Sequence, residues 1–213
     1  MRLYTHFRSS AAFRVRIALN LKGIAYEPMP LSFAPERAEH RSAEFRAVNP
    51  QGLVPVLDDD GTVVTQSLAI IDYLDARVPE PRLVPAEQPL RARVLAFAQI
   101  IACDTHPLNN LRVLRYLRGE IGLDENAVLA WYRHWVAESF TALEAHARDW
   151  SGGEYCVGDA LSLADVCLVP QMYNARRFDC DLAPYPTLVK LADRLAALEA
   201  FRRAAPENQP DAG

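Results

Sequence analysis

Two hydroxyls stand side by side at Ser9-Ser10, directly after the cationic Arg8 and directly before a run whose apolar residues Val15, Ala18, Leu19 and Leu21 recur at helical spacing. A serine pair there caps a helix, leaving unpaired N–H groups and the positive end of the helix dipole facing outward. That environment lowers the cost of a negative charge, and a thiolate is one anion it would hold. Ordinary capping explains the same pair, so the chemistry needs support from elsewhere in the chain.

Leu53-Val54-Pro55 offers it. A proline in a strand removes a ladder donor, which places it on a sheet edge or at a special turn, with a cis bond as one option. The Val54 backbone would then be open to pair with an extended peptide. Gln66-Ser67 sets polar groups at a second helix start, suited to a carboxylate. A thiolate cradle, a peptide-pairing edge and a carboxylate-binding helix end in one small α/β unit together suit a small thiol peptide.

These residues need elements to hold them. Leu3 to Phe7 reads as a strand, followed by a helix that Gly23 stops, and Ile24 to Pro28 as a second strand. From Pro35 to Ala47 the chain reads as a loop with one short helix. Asn49-Pro50-Gln51-Gly52 is a turn, Leu53 to Leu57 a strand, Asp59-Asp60-Gly61 a hairpin turn and Thr62 to Val64 its return. A helix built on Leu68, Ile70, Ile71 and Leu74 follows. Prolines 79, 81, 85 and 89 then interrupt helical continuity and mark a linker. We therefore expect an α/β domain over 1–80, a linker over 81–89 and an all-helical domain over 90–213. Its helices are expected from Arg91 to about Arg118, Glu125 to about Trp150, Leu163 to about Arg176 and Pro186 to about Arg203.

Composition narrows the function. Half of the 213 residues are hydrophobic, and the formal net charge of -4 gives no basic surplus for nucleic acid. Neither a signal-peptide core nor a membrane-length apolar run is visible, so a soluble cytoplasmic protein without a membrane partner is expected. Cys103, Cys156, Cys167 and Cys180 lack metal-site or redox spacing and read as buried thiols; no metal is expected. His6, His40, His134 and His146 show no partner pattern, and Trp131, Tyr132 and Trp135 read as packing. Ser162-Leu163-Ala164-Asp165 is a capping box, which makes Asp165 structural.

Over nearly its full length the chain resembles the zeta-class glutathione transferases, in RSSAAFRVRIALNLKG, NPQGLVPVL, QSLAIIDYL and YCVGDALSLADVCLVPQ. The resemblance implies a thioredoxin-like, glutathione-binding first domain, a helical second domain that closes the substrate pocket, and a homodimer. It assigns Ser9 to the glutathione sulfur with Ser10 beside it, Val54 to a backbone clamp and Gln66 and Ser67 to the γ-glutamyl end. His106 falls where the family places a polar side chain over glutathione, and Asn110 accompanies it in contact with glutathione or substrate. Ala11 departs from the family's frequent cysteine, and Phe13 from a frequent Trp or His. Any activity that relies on a thiol at position 11 is thereby in doubt, while glutathione activation is not.

Zeta-like enzymes include isomerases that convert a cis alkene between carboxylate- and keto-bearing arms into the trans form, using glutathione that is regenerated. Arg8, Arg112 and Arg176 fall where the family lines its pocket and are assigned to the substrate carboxylates, with Arg177 able to replace Arg176. CDTHPLNNLRVLRYLR is closer to the maleylpyruvate isomerase branch than to the maleylacetoacetate isomerase branch. A transferase that conjugates or dehalogenates small electrophiles and a noncatalytic glutathione-fold binding protein remain the alternatives.

Overall fold

The computed structural model describes residues 1–212. The chain divides into two compact units, one formed by Met1–Leu83 with the described residues from Ala197 onward, the other by Val84–Ala196. The division falls inside the stretch expected to be a linker. The return of the last segment to the first unit departs from the expected boundaries, and its physical reason is two contacts, one buried and one half-buried: Arg16 and Asn20 donate to the carbonyls of Ala204 and Ala200.

In the first unit, β1 (Arg2–Thr5), β2 (Glu27–Pro30), β3 (Val56–Asp59) and β4 (Thr62–Thr65) form one sheet in the order β2-β1-β3-β4. β1 runs parallel to β2 and antiparallel to β3, which pairs antiparallel with β4. Helices α1 (Ser10–Leu21) and α3 (Ser67–Arg77) pack on each other, and the short α2 (Ala43–Val48) precedes β3. This is the thioredoxin-like arrangement. The β3–β4 turn lies at the expected place, with Asp60 and Gly61 at φ 51° and 92° and the Asp58 carboxylate accepting from the Gly61 N–H at 2.9 Å. The second strand instead starts three residues later than expected, at Glu27. Register decides this: Pro28 and Pro30 sit opposite Leu3 and Thr5 on an edge strand, where missing N–H groups cost little.

Lys22 closes the first unit. Its ammonium is fully buried, 2.7 Å from the Asp75 carboxylate, and donates to the carbonyls of Val78 and Pro81. Asp75 also accepts from the Leu83 N–H, so the end of α1, the end of α3 and the chain leaving α3 are tied together.

The second unit contains α4 (Leu90–Gln99), a π-helical stretch (Ile100–Thr105), the single turn α5 (His106–Leu108), α6 (Leu111–Gly119), α7 (Glu125–Trp150), α8 (Leu163–Arg177) and α9 (Pro186–Ala196). The expected continuous helix from Arg91 to Arg118 is broken. Pro107 has no N–H to continue the ladder, and Asn110 leaves helical geometry to cap α6 by accepting from the Arg112 N–H at 3.1 Å. The expected last helix is likewise two, α9 and, in the first unit, α10 (Glu199–Ala204). Cys156 and Cys167 are buried as expected, but Cys180 is half-buried and Cys103, on the π-helical stretch, is exposed.

Asp165 forms the expected capping box on α8. Its carboxylate, fully buried, accepts from the N–H groups of Cys156 and Ser162 at 2.8 Å each and from the Ser162 hydroxyl. Burial pushes its pKa up, against these donors. Removing the carboxylate strands two buried N–H groups, so Asp165→Ala should lose about 3 kcal/mol of unfolding free energy in urea titration. Loss below about 1 kcal/mol would refute a structural role of this weight.

Candidate functional site

The turn between β1 and α1 presents Arg8 and Ser9. Ser9 is the N-cap of α1, and its hydroxyl oxygen accepts from the Ala12 N–H at 3.2 Å. Its own proton is therefore available to donate outward. Ser10, the first helical residue, is buried. Arg8 is exposed, with its guanidinium 4.8 Å from the Phe7 ring centre.

A buried guanidinium holds this turn from beneath. Arg16, fully buried, donates to the Thr5 hydroxyl at 3.0 Å, to the His6 and Phe7 carbonyls at 3.4 and 3.0 Å, and to the Ala204 carbonyl at 3.0 Å. Desolvation lowers its pKa to about 10, which leaves it charged at neutral pH.

The Val54–Pro55 bond is cis. Among the described residues, neither the Val54 N–H nor its C=O has a hydrogen-bond partner. An Asn49 turn leads into it: Asn49 accepts from the Gln51 N–H and donates to the Leu53 carbonyl at 2.7 Å. The Val54 side chain packs with Phe45 and Val56, so the residue is anchored while its peptide groups stay open.

At the start of α3, Gln66 has a positive φ of 69°, a costly conformation for a residue with a Cβ, and its side chain donates to Gln51 at 2.8 Å. Ser67 is buried and accepts from the Arg14 guanidinium at 3.3 Å. Arg14 thus joins the two helices whose N-termini carry the candidate residues. Within the first unit neither α1 nor α3 has an acid in its first turn, whereas α2 and α10 each carry one; α4, α5, α6 and α9 of the second unit also lack one. The positive ends of α1 and α3 are therefore not offset by a carboxylate in their own first turn, which lowers the cost of a negative charge there.

In the second unit, His106 and Asn110 meet, with His106 Nε2 3.3 Å from the Asn110 amide nitrogen. The α5 turn is pinned to α7 by Trp131, which donates to the Leu108 carbonyl, and by Asn109, which donates to that of Tyr132. Arg112 is exposed on the first turn of α6. Arg176 is exposed and already paired with Asp193 at 2.6 Å, while Arg177 lies over the Phe178 ring.

Arg14, Arg16 and Gln51, which hold these elements, carry no signal of their role in the sequence. Arg14 and Arg16 lie on a helix where arginines read as surface residues, and only their burial exposes their roles. Gln51 sits in the quoted NPQG turn, two residues from a strand, where a partner for Gln66 has no one-dimensional signature.

The chain matches the glutathione S-transferase N-terminal domain family over residues 3–82 and the C-terminal domain family over 132–199. It is 53% identical to a probable maleylacetoacetate isomerase of Vibrio cholerae, covering 99% of this chain and 97% of that one. To a maleylpyruvate isomerase of a Ralstonia species it is 48% identical, covering 99% of both. Among solved structures it is similar to the holo structure of a maleylpyruvate isomerase described as a bacterial zeta-class glutathione transferase, with a TM-score of 0.96 and 47% identity over the whole of both chains. A maleylacetoacetate isomerase of Anaeromyxobacter dehalogenans with dicarboxyethyl glutathione and citrate in its active site matches with a TM-score of 0.85 and 43% identity, covering 100% of this chain and 97% of that one. With family matches in both halves and full-length relatives at this identity, the chain belongs to the glutathione S-transferase family, in its zeta-class branch of maleylpyruvate and maleylacetoacetate isomerases.

Proposed function

We propose that this protein is a glutathione-dependent cis-trans isomerase of maleylpyruvate or maleylacetoacetate, acting in the breakdown of aromatic compounds. The observation that carries the reading is the pair of acid-free helix starts in the first unit, one capped by Ser9 and one beginning at Ser67, with the open Val54 peptide groups in the same unit. Glutathione has a thiol, a peptide backbone and an α-carboxylate, which these three features suit in turn.

The Ser9 hydroxyl and the N-terminus of α1 stabilise the thiolate, with Ser10 beside it. Val54 pairs with the glutathione peptide, Gln66 and Ser67 hold the γ-glutamyl end, and His106 and Asn110 contribute from the second unit. The thiolate adds to the cis double bond: the carbon–sulfur bond forms and the π electrons move onto the keto arm as an enolate. Rotation about the resulting single bond follows, and the enolate then reforms the double bond as the sulfur leaves. Glutathione is regenerated, and no net proton or electron is consumed. A solved relative that holds dicarboxyethyl glutathione supports thiol addition to a dicarboxylic alkene. Arg8, Arg112 and Arg176 take the carboxylates. Arg176 must exchange Asp193 for the substrate, a small cost because that pair is exposed. Assembly as a homodimer in the cytoplasm belongs to the same reading, supported by the family and by cysteines that form no disulfide among the described residues.

Maleylpyruvate and maleylacetoacetate should both be tested by the loss of the cis substrate's absorbance with and without glutathione. Turnover of at least one, only with glutathione, is expected; turnover of neither would overturn the assignment. Ser9→Ala should lower kcat by about 10- to 100-fold, and an unchanged kcat would move thiol activation to another group. Arg112→Ala and the double variant Arg176→Ala/Arg177→Ala should each raise KM for the substrate by about tenfold while leaving glutathione affinity in place. An unchanged KM in both would remove them from carboxylate binding.

A further inference from the structure

The Phe7 peptide groups are gripped from both sides by opposite charges. Its C=O accepts from Arg16 at 3.0 Å, and its N–H donates to the Asp211 carboxylate at 2.9 Å. The next two residues are Arg8 and Ser9, and the Ser9 N–H closes the turn on the His6 carbonyl at 2.9 Å.

Asp211 reaches this turn along a path fixed by its own hydrogen bonds. After α10, whose Ala204 carbonyl is held by Arg16, Asn208 donates to the Arg202 carbonyl and the Gln209 amide to those of Arg203 and Ala205. The Ala212 N–H then bonds the Gln209 carbonyl, which turns Asp211 back toward β1 and α1. The carboxylate also lies 4.0 Å from the His6 ring, which stacks on Phe33 at 4.6 Å and borders a cavity of about 430 Å³ with Phe7, Leu31 and Asp211.

The carboxylate is only partly satisfied where it sits. Asp211 Oδ1 is buried and has no hydrogen-bond partner among the described residues, an unfavourable state for a carboxylate oxygen. His6 gives it little charge compensation, because burial lowers the pKa of that ring and favours the neutral form; the charge attraction comes from the Arg16 guanidinium, without a direct bond. What the carboxylate does achieve is geometric: together with Arg16 it removes the freedom of the peptide groups that precede Ser9. A near-attack geometry for sulfur chemistry depends on such placement.

We propose that Asp211 is a positioning residue for the sulfur site, fixing through the Phe7 N–H the turn that presents Arg8 and Ser9. The proposal rests on the reading that Ser9 faces the glutathione sulfur.

The test compares Asp211→Ala, Asp211→Asn and Ser9→Ala in the full chain, by steady-state kinetics and by amide hydrogen exchange over residues 7–9. Asp211→Ala should speed exchange at Phe7 and lower kcat about tenfold, with KM for glutathione within about twofold because the peptide clamp lies elsewhere. Asp211→Asn keeps an acceptor oxygen and should recover most of that loss, a rescue that a general loss of stability would not give. If Asp211→Ala does not fold, Asp211→Glu carries the same test, since it keeps the charge but displaces the acceptor by one methylene. Unchanged kcat in the folded Asp211 variants, with Ser9→Ala impaired, overturns the positioning role alone. Unimpaired Ser9→Ala removes the sulfur assignment and the proposal with it.

Discussion

A charged guanidinium with no carboxylate at ion-pair distance among the described residues lies beneath the β1–α1 turn, and the candidate sulfur site depends on it. Arg16 spends its donors on the Thr5 hydroxyl and on the His6, Phe7 and Ala204 carbonyls. Leaving a guanidinium dry is costly, and burial lowers its pKa to about 10, yet every one of those oxygens would otherwise need another donor. In return the turn before α1, that helix and α10 are tied together by one side chain. Ser9 is then presented by packing and not by its own conformational preference.

The same helix carries a second buried guanidinium with a different task. Arg14 meets Ser67 at the start of α3, so residues two apart on α1 serve the two helix ends assigned to the sulfur and to the γ-glutamyl carboxylate. A positive group behind Ser67 adds to the helix dipole in favouring an anion there. The first unit therefore concentrates positive potential at two points and leaves open peptide groups at Val54. Glutathione carries its charges and its backbone in a matching set. The second unit has the complementary character: exposed arginines on helices, with His106 and Asn110 meeting where the π-helical stretch gives way to α5 and α6.

Much of this is legible in the amino-acid sequence alone. The hairpin at Asp59 to Gly61, the α7 boundaries and the Asp165 capping box follow from turn chemistry, helical periodicity and the S-x-x-D spacing, signals that act over a few residues. What was misplaced depends on partners distant in sequence. The β2 register is set by β1; the split of the expected Arg91–Arg118 helix is the exception, since Pro107 and the Asn110 cap on the Arg112 N–H are local signals. The return of the last segment to the first unit is set by Arg16 and Asn20. The site shows the same divide. Ser9, Val54 and Ser67 were visible because caps and X-Pro pairs mark themselves, whereas Arg14, Arg16, Gln51 and Asp211 have roles only through contacts across the fold.

The central claim is that the Ser9-capped end of α1 turns bound glutathione into a thiolate. The direct measurement is the thiolate's ultraviolet absorbance as a function of pH in the glutathione complex of the native chain and of Ser9→Ala. The account predicts a midpoint below that of an ordinary thiol, about 8.5, in the native complex, and a rise toward it in Ser9→Ala. A native midpoint no lower than that of free glutathione, or one that Ser9→Ala leaves in place, would contradict it.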